Sequence, residues 1–304
     1  MAFFGKAAPV SPSINALPRG PGPAILPAMP ELPEVETVCR GLAQALEGRK
    51  IVRAAIFRAD LRRPFPPDFA RRIEGRVVLR VARRAKYMTL ILDDGWVWLV
   101  HLGMSGRILI GPCDDTAPGK HDHVLVETED GRRVVYHDAR RFGLMDLVPA
   151  DALASHPLLS SLGPEPLEEA FQPAVLAGAF TGKTTAVKVA LLDQTLVAGI
   201  GNIYASEALF RARIDPTRAA GSLTARQIDR LTTAVKDVLR EAIAAGGSSL
   251  RDHRRTDGEL GYFQHAFAVY DREGLPCPGC TCKEGVRRIT QAGRSTFCCA
   301  KRQR

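Results

Sequence analysis

Met29-Pro-Glu-Leu-Pro-Glu-Val-Glu-Thr37 marks the point where the chain begins to read as folded protein. Pro33 suits a first helical position and Glu34 and Glu36 suit the positive end of a helix. Val35, Val38, Leu42 and Leu46 then recur at helical spacing, which predicts a helix over 33–47. Upstream, residues 1–28 carry Lys6 and Arg19, no acid, and prolines at 9, 12, 18, 21, 23 and 27. They lack the apolar run of a secretory signal, so they read as a disordered extension or as coding sequence ahead of the true start.

Downstream, the texture from 50 to 148 becomes short β-branched runs: Lys50–Arg58, Arg76–Ala82, Tyr87–Leu92, Trp96–Leu102, Val124–Thr128 and Arg133–His137. Asp94-Gly95 and Asp130-Gly131 stand where hairpin turns belong. This predicts an antiparallel β-sandwich behind one helix, a domain over 29–148. Pro149, Pro157, Pro164 and Pro166 mark 149–166 as a linker. Helical patterns follow at 167–179, 186–197, 202–211 and 224–245. In the last of these Thr224 can cap, Ile228, Leu231, Val235, Val238, Leu239 and Ile243 share a face, and Gly246-Gly247 stop the helix. A helical domain over 167–262 and a basic, cysteine-rich hairpin over 263–304 complete an α+β, multidomain fold.

The composition agrees with that plan. At 304 residues, 45% hydrophobic and 25% charged, the chain has material for two domains and a sizeable core. No stretch of about 20 apolar residues occurs, which argues against a transmembrane helix, and a cytosolic location is expected. The 42 Lys+Arg against 33 Asp+Glu leave a net charge of +9, favouring a polyanionic partner, nucleic acid before acidic membrane surfaces. Five of the seven cysteines (Cys277, Cys280, Cys282, Cys298, Cys299) crowd the C-terminal end, and structural disulfides are rare in the cytosol, so a metal site is the better reading.

The N-terminal string carries chemistry as well as a helix start. Initiator methionine is commonly trimmed before a small residue, which would leave Pro30 as a free secondary amine. An α-amino pKa near about 8 leaves a useful fraction unprotonated at neutral pH. Such an amine can attack a sugar C1′ and form an iminium, with Glu31 moving the protons. The same residues can equally serve only to frame and cap a helix. If the chain began at Met1 uncleaved, Pro30 would be an internal amide and this chemistry would be closed.

Pro30-Glu-Leu-Pro-Glu-Val-Glu36 resembles the amino terminus of the bacterial formamidopyrimidine-DNA glycosylases. Arg83-Arg-Ala-Lys-Tyr87, His101-Leu-Gly-Met-Ser-Gly106, Lys120-His-Asp-His123, Asp138-Ala-Arg-Arg-Phe-Gly143, Leu162-Gly-Pro-Glu-Pro166, Gly199-Ile-Gly-Asn-Ile-Tyr-Ala-Ser-Glu207 and Gln291-Ala-Gly-Arg-Ser-Thr-Phe297 follow in the same order. The resemblance implies a monomeric base-excision-repair enzyme acting on double-stranded DNA with oxidised purines, 8-oxoguanine and formamidopyrimidines, through Schiff-base chemistry and β,δ-elimination. Leu32, where the sister group that prefers oxidised pyrimidines has glycine, points to purine lesions. The alternative is an inactive relative that only binds damaged DNA.

The resemblance also implies roles. Pro30 would be the nucleophile, Glu31 the proton carrier, Lys86 an aid to strand cleavage, and Arg294 the grip on phosphates beside the lesion. Met104, Arg140 and Phe142 would fill the gap left by an extruded base. His121, Arg141, Lys183, Lys188 and Asn202 would contact DNA, with Asn202 in the turn of a helix–two-turns–helix element. A zinc-finger-like hairpin would end the chain, and here the sequence departs from the family. Arg302 stands at the expected fourth cysteine, Cys299 at the third, and Cys298 at an aromatic. Three readings stay open: Cys277, Cys280, Cys282 and Cys299 compose an alternative four-thiolate Zn²⁺ site, Cys298 enters it, or three thiolates and water hold zinc weakly.

Overall fold

A computed structural model describes residues 29–248 and 261–304. The expectation of a disordered extension over 1–28 lies outside the described residues.

Helix α1 (Leu32–Leu46) opens the fold, with the Glu34 carboxylate accepting from the Glu31 backbone N–H at 3.0 Å. Its buried face is divided between two cores. Val35, Val38, Leu42 and Leu46 pack on the sandwich, whereas Leu32, wholly buried, joins the core of the helical domain. Strands β1 (Ile51–Ile56), β2 (Val78–Arg84), β3 (Tyr87–Leu92), β4 (Trp96–His101), β5 (Gly106–Pro112), β6 (Asp122–Thr128), β7 (Arg132–Asp138) and β8 (Leu144–Pro149) form two antiparallel four-stranded sheets, ordered β1-β6-β7-β5 and β2-β3-β4-β8. Their facing sides meet through Leu90, Trp98, Val100, Val124, Val126, Val134 and Tyr136. A short helix α2 (Phe69–Ile73), absent from the sequence reading, plugs one end with Phe69 and Ile73. Strand β8 ends at Pro149, which an edge strand tolerates, so part of the expected linker is sheet.

Helices α3 (Pro173–Phe180), α4 (Val187–Leu192), α5 (Asn202–Ala212) and α6 (Ala225–Ala244) make the helical domain. Two are shorter than the sequence periodicity suggested, each for a local reason. Pro173 has no N–H and opens α3, so 167–172 are turns. Helix α4 stops at Leu192 because Asp193 Oδ1 accepts from the Thr195 N–H and hydroxyl, and Gln194 bonds to Ile200 O and the Gly199 N–H, closing tight turns instead. The long α6 is close to its expected span, capped by Thr224, whose side chain accepts from the Gln227 N–H. Strands β9 (Arg287–Gln291) and β10 (Arg294–Cys298) form the terminal hairpin, anchored where Phe297, Cys277 and Cys299 enter the helical-domain core. Among the described residues no helix is long and apolar enough to cross a membrane.

Candidate active site and nucleic-acid interface

A cleft of about 620 Å³ opens where α1, the β2–β3 turn, the start of α5 and the β9–β10 hairpin converge. Glu31, Lys86, Met104, Asn202, Tyr270 and Arg294 are among its lining residues.

Glu31 is 2% exposed. Its carboxylate sits on the first turn of α5, accepting from Gly201 N–H at 2.8 Å, Ile203 N–H at 2.9 Å and Tyr204 N–H at 3.4 Å. Burial raises this carboxyl from its ordinary 4.5 to about 7, against the opposing pull of the Lys86 charge and the Ile203 and Tyr204 N–H groups. A carboxyl so poised exchanges protons near neutral pH, as a general acid–base group must. A Cβ on Gly201 would lie 2.3 Å from Glu31 Cδ, so residue 201 must lack one for the carboxyl to reach the helix. Pro30, the neighbouring residue, is buried at the same joint.

Lys86 projects from the tight β2–β3 turn. Ala85, just before it, holds the left-handed φ of 53°, a conformation costing a non-glycine residue roughly 1 kcal/mol. Glu165, from the linker string, holds that turn: its buried carboxylate accepts from the Ala85 N–H and from Arg83 at 2.7 Å and Arg84 at 2.9 Å. Desolvation lowers the Lys86 amine from the ordinary lysine range, as does the nearby Arg294, while Glu31 opposes this. His101, in the Met104 string, was not singled out from sequence. Burial, with the Lys86 and Arg62 charges, brings it down to about 4, so the ring is neutral at pH 7. Its Nδ1 accepts from the Gly103 N–H at 3.0 Å, leaving the proton on Nε2.

The Met104 and Phe142 loops are built as a pair. Gly103, at φ 65°, lets the loops touch backbone to backbone, since a Cβ there would lie 2.3 Å from the Phe142 carbonyl carbon. Asp138, fully buried, accepts from Ser105 at 2.5 Å and the Gly143 N–H at 2.8 Å, and the Ser105 hydroxyl accepts from the Arg140 N–H. Phe142 is 43% exposed, with the Arg140 guanidinium 4.8 Å over its ring. Arg141 is exposed on the same loop, and His121 lies close by, its carbonyl accepting from the Asp138 N–H.

Lys188, expected at a phosphate, is instead buried. Its amine donates to Asn202 Oδ1 at 2.6 Å, Ser295 O at 2.8 Å and Thr296 Oγ1 at 2.7 Å, and burial lowers it to about 7. The Asn202 amide in turn donates to Ser295 O at 2.9 Å. These two residues therefore bind the helix–two-turns–helix element to the hairpin that carries Arg294. Ala292 and Gly293, at φ 46° and 72°, make the two-residue hairpin turn that presents that arginine. Lys183 lies apart from the cleft lining, in the turn between α3 and α4.

At the chain's end Cys277, Cys280, Cys282 and Cys299 bring four sulfur atoms within 4.8 Å of one another, a group able to hold a metal ion. Cys298, its neighbour on β10, is not part of the group, as the alternation of strand side chains requires.

The comparisons with known proteins agree with this geometry. Residues 29–145 match the formamidopyrimidine-DNA glycosylase N-terminal domain, and residues 162–254 match the H2TH domain of the same proteins. The formamidopyrimidine-DNA glycosylase of Rhodospirillum rubrum is 57% identical over 281 residues, spanning 91% of this chain and 100% of its own length. That of Cereibacter sphaeroides is 56% identical over 283 residues, with the same coverage. The crystal structure of MutM (Fpg) from Thermus thermophilus superposes with a TM-score of 0.80 at 41% identity, covering 90% of this chain and 98% of that one. Lactococcus lactis Fpg, solved in complex with DNA containing an abasic site, gives 0.82 at 31% identity over 90% and 99% of the two chains. With both domains matched and relatives aligned over their whole length, the chain belongs to the formamidopyrimidine-DNA glycosylase family.

Proposed function

We propose that this chain is a bifunctional DNA glycosylase and AP lyase of base excision repair, acting as a monomer on double-stranded DNA that contains oxidised purines. One observation carries the reading. The residue after Pro30 presents a buried carboxyl poised near pH 7, on the same cleft as Lys86 and Arg294. In a chain beginning at Pro30, the proline nitrogen attacks C1′, the glycosidic bond breaks, and the base departs with its electron pair and takes up the proton that the amine gives up. Glu31 delivers a proton to the deoxyribose ring oxygen as the ring opens to the iminium. Loss of a C2′ proton then expels the 3′ phosphate, a second elimination expels the 5′ phosphate to leave a gap, and water hydrolyses the remaining iminium, releasing the sugar remnant as an aldehyde and restoring the proline amine. Lys86 supports strand cleavage, Arg294 holds the phosphates flanking the lesion, and Met104, Arg140 and Phe142 occupy the space the base vacates. Arg141, His121, Asn202 and Lys183 contribute DNA contacts. Lys188, three times hydrogen-bonded inside the protein, acts by holding Asn202 and the hairpin.

The cysteine cluster takes one Zn²⁺ through Cys277, Cys280, Cys282 and Cys299. Four thiolates this close match the soft, tetrahedral preference of that ion, which would brace the hairpin far from the reacting atoms.

Borohydride trapping tests the chemistry. Protein beginning at Pro30 should form a covalent adduct with an 8-oxoguanine duplex and cleave it, and Pro30→Gly should abolish both. If the Pro30-initiated protein gives neither adduct nor cleavage, yet still binds the duplex, the protein is a damaged-DNA-binding relative and not an enzyme.

A further inference from the structure

The fourth corner of the cysteine cluster is filled in an unusual way. Arg302 follows Cys299 by three residues, and its backbone N–H bonds to Cys299 O at 3.2 Å, so the chain turns back toward the cluster just where this arginine stands. An arginine cannot ligate a cation. Its guanidinium reaches instead across to the opposite loop, where Nη1 donates to Pro278 O at 3.0 Å and Gly279 O at 2.9 Å. Its other face rests on the Phe210 ring at 4.8 Å. The adjacent Lys301 amine donates to Thr281 Oγ1 at 3.0 Å. The terminal turn thus grips residues 278, 279 and 281, on both sides of Cys280. Between those grips the Cys280 sulfur comes to 3.6 Å from that of Cys299. Gly279 itself is fitted to the contact, since a Cβ there would meet Arg302 Nη1 at 2.7 Å.

We propose that Arg302 is a positioning residue for the metal site. It stands on the terminal turn at the position where the family resemblance puts a fourth cysteine, and it holds the 278–281 loop so that Cys280 supplies that thiolate from the other side. Positions 280 and 302 are then alternative sources of the same ligand. This rests on the four-thiolate reading given above and extends it to the residue that makes it possible.

The test uses the full chain with zinc alone, in competition with a chromogenic chelator, and cobalt substitution as a count of thiolates. Arg302→Ala and Arg302→Lys should each weaken zinc binding and speed its release by about tenfold or more, the size of a lost outer-shell contact. Both should retain the sulfur-to-cobalt absorption of four thiolates. Cys280→Ser should lose about a quarter of that absorption and bind zinc at least ~100-fold more weakly than the parent. The double variant Cys280→Ser, Arg302→Cys should recover both, which a merely misfolded hairpin would not do. A parent protein that binds no zinc overturns the metal reading itself. Cys280→Ser with parental affinity and spectrum overturns the four-thiolate set. Loss of zinc in Cys280→Ser, with parental affinity in both Arg302 variants, leaves the ligand set standing and refutes the role of Arg302.

Discussion

Replacing Glu31 with glutamine should abolish turnover and yet make the protein's stability less sensitive to rising pH. In the folded chain this carboxyl ionises at about 7, and in the unfolded chain near its ordinary 4.5. Between those values the unfolded chain has released the proton and the folded one still holds it, so stability falls as pH rises. The stabilising contribution is complete below 4.5 and gone once pH passes about 7. The loss amounts to about 3 kcal/mol at the upper end. Glutamine cannot ionise and escapes it. Its amide does place an N–H₂ against one of the backbone donors at 201–204, but that cost is independent of pH, so the widening of the gap is the decisive quantity. In thermal melts of the full 304-residue chain, where Pro30 carries no charge, the melting temperature of Glu31→Gln relative to the parent should rise by roughly 5–10 °C between pH 5 and pH 8.5. The cysteine cluster is common to both chains and cancels. A difference in melting temperature that stays flat across that range would refute the argument. It would mean that the N–H groups of α5 and the Lys86 charge hold the carboxylate ionised despite its burial.

Two further perturbations separate structure from chemistry. Lys188→Met keeps an unbranched side chain of similar bulk but strands the Asn202, Ser295 and Thr296 acceptors. It should cost roughly 2 kcal/mol in urea unfolding and expose the β9–β10 hairpin to proteolysis before the rest of the chain. Phe142→Ala removes an exposed ring and should leave stability within about 0.5 kcal/mol, while lowering kcat/KM on duplex substrate more than tenfold. An unchanged rate on duplex DNA would remove Phe142 from base extrusion.

Much of this was legible in the sequence because the decisive signals are local. Period-two runs and Asp-Gly turns gave most of the sandwich strands, and Thr224 with its apolar stripe gave α6. Short elements were harder. Helix α2 has only Phe69 and Ile73 to signal it, and β8 carries its last residue into a proline that reads as linker. Apolar periodicity overshot at α4, since it is blind to the Asp193 and Gln194 side chains that satisfy the backbone as turns. The site divides along the same line. Residue type pointed to Glu31, and the family resemblance to Lys86 and Arg294, but only folding reveals that Glu165, some eighty residues distant, holds the lysine turn. Lys188 was placed at DNA by the family resemblance alone, and the sequence carries no local signal of the three acceptors that enclose it. In the hairpin the sequence shows only that Arg302 stands where a cysteine is expected, and its two carbonyl partners become visible only when the terminal turn folds back over the 278–281 loop.

The joint beneath the cleft has a consequence for how such an enzyme would survey undamaged DNA. Leu32 is sunk in the core of the helical half, and the adjacent Glu31 is fastened to the first turn of α5, so under the proposed function the proton carrier doubles as the rivet between the two halves of the molecule. A rivet cannot be loosened and still do its work. Any excursion that parts the halves, to slide along a duplex or to let go of one, withdraws the acid from the donors that define its position and disarms the cleft. Under that proposal cutting would be confined to the closed posture, with safety catch and trigger in the same side chain.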